Sequence, residues 1–231
     1  MPHFSDDLYL GPVYRGGPLS DGPSPMDLGL GPLGRVYIFD VVPVAADADA
    51  IAASQTPLAA GNLTLTNSAG VTLDVPRAVT VTAAGANTAT FIVYGYDQYG
   101  QQMSAAVAAP STSTVATTKA FKRVTRVAAS GLAGSAITVG FNDALGLPVR
   151  VLDAGYIISQ KWDGVADVGT FVPASVVNPA TIASLDVRGL YTPSSAADGV
   201  KRLVMAIALS AIQVGPNATR LGALGITQNG W

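Results

Sequence analysis

The chain has 231 residues, of which 49% are hydrophobic and only 12% charged, against a usual charged share of roughly 25%, and its mean hydropathy is +0.38. All fifteen acidic residues are aspartate, glutamate is absent, and arginine supplies nine of the thirteen basic charges. The residues that coat exposed helices are therefore scarce, which argues against helical bundles and coiled coils, whereas the plentiful Ala, Val, Thr, Gly and Pro suit strands and turns. With no cysteine, thiolate nucleophiles, disulfides and Cys-ligated metals are excluded; with His3 as the single histidine, a Ser-His-Asp arrangement and a multi-histidine metal site are close to excluded too. A net charge of -2 offers no global positive field for nucleic acid.

In chain order, residues 1–35 hold seven glycines and six prolines. Thirteen breakers in that span forbid a regular helix or a central strand, because proline removes donors and glycine raises the entropy of ordering. The same stretch carries Phe4, Leu8, Tyr9, Leu10, Val13, Tyr14, Leu19, Met26, Leu28, Leu30 and Leu33, more apolar anchors than a solvated linker needs. It is predicted to be an extended arm laid along a surface, either its own body or a neighbouring subunit. The opening MPHFSDDLYL has neither the basic start nor the apolar core of an export signal, so no leader is expected.

From Val36 the pattern becomes that of strands. VYIFDVV (36–42) is β-branched and aromatic, whereas DADAIAASQ (47–55) is read as a short helix capped by Asp47 and ended before Pro57. LTLT (63–66), the turn NSAG (67–70) and VTLDV (71–75) predict a hairpin, with AVTVT (78–82) following Pro76. Residues 88–109 predict two strands around a turn at Asp97–Gly100. Their first strand has two apolar faces, Phe91 and Val93 on one and Ile92, Tyr94 and Tyr96 on the other, so cover is expected on both sides.

Strands are further predicted over 120–129, 135–141 and 147–159, and TFVPASVV (170–177) suits an edge because Pro173 interrupts it. From Val200 to Val214, Leu203, Met205, Ile207 and Leu209 alternate with small residues. That pattern favours a strand with one bulky and one small face, although Asp198 as a cap would also permit a helix. This apolar run, 203–214, is too short to span a bilayer, and no membrane association is expected. About ten short strands without interposed helices predict a mainly β protein: an antiparallel β-sandwich or barrel-like body over 36–231, with the Gly/Pro-rich arm over 1–35. The body is either one sandwich or two packed β subdomains with a boundary near 110–118.

Chemical motifs are sparse. GLGPLG (29–34) matches the G-x-G-x-x-G fingerprint, but it follows a proline-rich arm and leads into a strand, where a dinucleotide site requires a helix. Asp6 with Asp7 and Asp47 with Asp49 lack a third ligand and are read as caps or solvated charges, and the Asn62 and Asn217 sequons as accidental. No cofactor, metal site or catalytic residue is assigned. Charge is segregated: residues 1–97 sum to -6, residues 98–142 to +4 through Lys119, Lys122, Arg123 and Arg126, and residues 143–231 to zero. The basic group, with the acidic N-terminal region, either steers one subunit against another or against an acidic partner surface, or simply faces water; nucleic acid is not the expected partner.

GYDQYGQQMSAAVAAP (95–110), TKAFKRVTRVAASG (118–131), GFNDALGLPVRV (140–151) and DVRGLYTPSSAADGVKRLVMAIAL (186–209) together resemble virion structural proteins of tailed, short-tailed bacteriophages, over roughly residues 88–210. The resemblance implies a β-rich, non-enzymatic homo-oligomeric protein, made in the host cytoplasm and carried on the virion. Its expected role is a head decoration or cement protein on the capsid surface, with the major capsid protein and copies of itself as partners. A head–tail adaptor or tail component is the alternative within the virion, and a carbohydrate-binding or adhesin module the alternative of another class. Expected interface residues are Phe4, Leu8, Tyr9, Tyr14, Leu28 and Leu30 of the arm, the basic Lys119, Lys122, Arg123 and Arg126, and the apolar Trp231.

Overall fold

A computed structural model describes residues 33–210 and 226–230. The arm residues 1–32 and Trp231 lie outside the described residues, as do the expectations that rest on them. What is described is almost wholly antiparallel β, with curled sheets that form a sandwich-like half-barrel and no α-helix. The predicted fold class holds for this body.

A four-stranded sheet joins the first and last strands of the described residues. β1 (Leu33–Val41) pairs with β13 (Leu203–Ser210), β13 with β9 (Ile157–Trp162), and β9 with β10 (Val165–Ala166). Leu33 stands opposite Ser210, and Val41 opposite Leu203. The alternation along 203–210 therefore resolves as a strand: Leu203, Met205 and Ile207 are fully buried, whereas Val204 and Ala206 point the other way.

The larger sheet runs β11 (Thr170–Val172), β12 (Leu190–Thr192), β8 (Ile137–Gly146), β4 (Val71–Ala83), β7 (Thr114–Ala129), β5 (Phe91–Tyr96) and β6 (Gln102–Val107). β2 (Asp47–Gln55) pairs with β8, and β3 (Gly61–Asn62) with β7. The expected strand pair around Asp97–Gly100 is present as β5 and β6, and β11 stops before Pro173 at the sheet's margin, where a missing N–H costs no ladder bond.

Two local expectations are overturned. Residues 47–55 form strand β2 instead of a helix. Their only large apolar side chain is Ile51, so a helix would have no stripe to bury, whereas pairing with β8 seals Ile51 and Ala52 in the core. Gly140 allows the close crossing, since a Cβ there would stand 1.9 Å from the Asp47 carbonyl oxygen. The predicted hairpin is also replaced. The NSAG turn forms, with Gly70 N–H donating to Asn67 O at 2.9 Å, but its flanks do not pair with each other. Leu63 N–H donates to Val127 O, Thr66 N–H to Ile51 O, and Val71 pairs with Val124. β4 then runs on through Pro76, with the ladder register slipping between Thr72 and Arg77 so that the proline sits where pairing lapses.

Two main apolar clusters hold this frame. The larger lines the curl of the big sheet and includes Ile51, Val79, Phe91, Met103, Phe121, Val127 and Ile137. The second joins the far end of that sheet, through Leu145, Leu147, Val151 and Tyr191, to the small sheet, through Phe39, Trp162, Leu203, Met205 and Ile207.

Candidate functional site

The small sheet shows its second face to solvent, and the residue pattern shapes it. Three rows cross it: Val36 opposite Ala208, Ile38 opposite Ala206 opposite Ser159, and Asp40 opposite Val204 opposite Lys161. Because alternate side chains point to opposite faces, burying Phe39 and Met205 obliges Ile38 and Ala206 to face outward. The register slips at Ile158, which is thrown outward as an extra residue in a bulge. Ile38 is 64% exposed and Ile158 56% exposed. Between them the middle strand offers the partly exposed Ala206 and the buried Ala208, so the face is a shallow apolar trough with isoleucine walls. Its rim is polar: Arg202 grips Asp40 with Nε 2.6 Å from Oδ1 and a second contact from its terminal nitrogen, and Lys161 is exposed beside them. The Arg202 guanidinium holds the Asp40 carboxyl below the usual carboxylate range.

Ionisable groups inside the body form three bonded knots. Arg77, fully buried, donates to Asp74 at 2.8 and 2.9 Å, to Asp143 at 3.3 Å, and to the carbonyls of Val44 and Asn142, while its guanidinium stacks over Phe141. A second knot stands at the outer end of β5. Arg188 reaches Asp97 at 2.8 Å, and Asp97 also accepts from Gln228 and from the N–H groups of Tyr99 and Gln101. Asp186, beside it, accepts from the N–H of Ala120 and of Arg188, and burial pushes its carboxyl up. In the third, Asp167 accepts from Tyr191 Oη at 2.7 Å and from the Ser194 hydroxyl. Although burial pulls Asp167 upward, those bonds hold it below its ordinary value, and burial together with Asp167 pushes the Tyr191 phenol up.

The four basic residues expected to act together are separated. Lys119 is fully buried because β7 bulges at Thr117–Lys119: Thr117 Oγ1 takes the Val79 N–H at 2.9 Å in place of a ladder carbonyl, and the strand turns Lys119 inward. Its Nζ donates to Ser104 O at 2.9 Å and Thr181 O at 2.7 Å, and burial brings its pKa down to about 8. The expectation that Lys119 belongs to a surface patch is thus corrected. Lys122 donates to the carbonyls of Leu73 and Asp74, Arg123 to Ala69 O, and Arg126 lies 3.8 Å from the centre of the Tyr94 ring. Arg123 and Arg126 stand opposite Tyr96 and Tyr94, on the half-buried face of β5 for which cover was expected. Phe4, Leu8, Tyr9, Tyr14, Leu28, Leu30 and Trp231 lie outside the described residues.

Among the described residues no group of three His, Asp or Glu side chains gathers to hold a metal, and no helix is long and apolar enough to cross a membrane. The trough was legible only as the small face of 203–210; its walls depended on pairing with 36–41 and on the bulge at Ile158. Neither a family model, nor a curated protein, nor a solved structure matches the chain.

Proposed function

We propose that the chain is a non-enzymatic virion structural protein of a tailed bacteriophage, acting as a decoration protein that binds and stabilises the lattice of the major capsid protein. The observation that carries this reading is the apolar trough of the small sheet with its exposed isoleucine walls, carried on an antiparallel body whose buried Arg77 and Arg188 are paired with aspartates. An apolar face of that kind is a contact surface. The arm sequence, with Leu8, Tyr9 and Tyr14 among its anchors, supplies a second one.

Burying apolar area contributes about 25 cal/mol per Å2 before the cost of ordering is subtracted. Repeated contacts across a symmetric shell multiply that effect, so weak individual contacts suffice. The resemblance to short-tailed phage proteins over residues 88–210 points the same way. An adhesin is expected to show an exposed Trp or Tyr over a groove; Trp162 is buried with its indole N–H donating to Ser195 Oγ at 2.9 Å, and the exposed Tyr99 donates its hydroxyl to Pro148 O at 2.6 Å. The test is the copy number and radial position of the chain in intact particles. Many copies over the outer shell support decoration, a single ring at a vertex indicates an adaptor or tail component, and absence from particles overturns the reading.

A further inference from the structure

The trough has exposed walls at Ile38 and Ile158 and a floor that passes from the partly exposed Ala206 to the buried Ala208. Val36 and Ile38 stand on one side, Ile158 on the other, and Val204, Ala206 and Ala208 lie between. Small residues on the middle strand leave room for a backbone to lie close, and the exposed isoleucines offer it apolar contact. A segment suited to this seat is extended, apolar at intervals, and short of the N–H groups that would otherwise require ladder partners. Residues 1–32 answer that description, with six prolines and apolar anchors from Phe4 to Leu30.

Where this segment joins the body also matters. It enters β1 at Leu33, which pairs with Ser210 at the end of the ladder away from Val41. Leu33 itself lies beyond the Val36–Ala208 row that ends the trough. Thirty-two residues reach about 110 Å when extended, whereas five residues of β1, Val36 to Asp40, span the trough, a length of about 17 Å. A return onto the segment's own sheet would use a small part of its length and leave most anchors elsewhere. The net charge of residues 1–32, four Asp against one Arg, complements a rim on which Lys161 is exposed.

We propose that the trough of β1, β13 and β9 seats residues 1–32 of a second copy of this chain. Each copy then gives one arm and receives one, so the contact propagates around a ring or closes as a reciprocal exchange. This deepens the virion reading by naming one partner, and it is tested on the purified chain, so that the two can fail separately.

Because the chain contains no cysteine, disulfide trapping has no background. Tyr9→Cys, Tyr14→Cys or Leu28→Cys is combined in turn with Ile158→Cys, and as a control with Leu58→Cys, whose side chain is 82% exposed away from the small sheet. Under mild oxidation at least one Ile158 pairing should give covalent dimers and larger species that reduction dissolves, in at least tenfold excess over the control. Bridged species of monomer mass would place each arm on its own trough and overturn the proposal, as would yields no higher than the control. Light scattering on the full chain gives a second reading. Ile38→Asp, at an exposed position, should lower the assembled mass while leaving the unfolding midpoint unchanged; an unaltered mass would contradict arm exchange.

Discussion

Arg188 and Asp97 are 91 positions apart in sequence and form a 2.8 Å ion pair with both side chains all but sealed from solvent. The pair ties the bend leading into β12 to the β5–β6 turn, and Gln228, from the last described segment, bonds to the same carboxylate. Asp97→Ala removes the buried counter-ion of Arg188 and also the acceptor for the Tyr99 and Gln101 N–H groups. It should cost about 3–5 kcal/mol, read as a fall in the urea midpoint with little change in slope. A loss below about 1 kcal/mol would mean that solvent already reaches the pair.

Lys119 gives stability a dependence on pH. Burial lowers its pKa to about 8, against an ordinary lysine near 10.5. Between those values the unfolded chain binds more protons than the native one, so stability from this group rises with pH there and is lost as pH falls through about 8. Unfolding free energies should therefore climb from pH 8 toward pH 10, and Lys119→Met should flatten the climb. An equal climb in the variant would assign it to another group.

Gly140 and Gly131 make a contrasting pair. A Cβ at Gly140 would meet the Asp47 carbonyl oxygen at 1.9 Å, whereas one at Gly131 would meet nothing within 4 Å. Gly140→Ala should destabilise by about 1–3 kcal/mol, because β2 must shift off β8, and Gly131→Ala should stay within about 0.5 kcal/mol of the parent. Thermal melts of the two variants decide the matter. Equal midpoints would show that the β2–β8 crossing yields freely.

Deleting residues 1–32 should leave a folded body, since both main apolar clusters are built from residues at or beyond Tyr37. Far-UV circular dichroism and a cooperative melt should persist, while binding to capsid shells should fall by at least tenfold. A truncated chain that still saturates shells would remove the arm from the binding account.

The β class and most strand positions were legible because alternation and turn chemistry are local: β5, β6 and β13 follow directly from their side-chain patterns. The strand at 47–55 was hidden because alanine favours a helix in isolation, and only the opening at Gly140, nearly ninety positions away, makes pairing with β8 the better outcome. The inward turn of Lys119 was equally hidden, since a bulge depends on the register of two strands and leaves no mark in composition. The trough lay between. Its small floor at Ala206 and Ala208 was visible, but its walls, Ile38 on β1 and Ile158 on β9, are brought to β13 by separate pairings, and the pairing with β1 is a long-range choice.

The most direct test of the central claim is the number and radial position of copies of this chain in purified particles, obtained by quantitative mass spectrometry together with cryo-electron microscopy. Decoration predicts density of this β body on the outer capsid surface, in copies proportional to the major capsid protein. A single ring at one vertex, or particles that lack the chain, would contradict it.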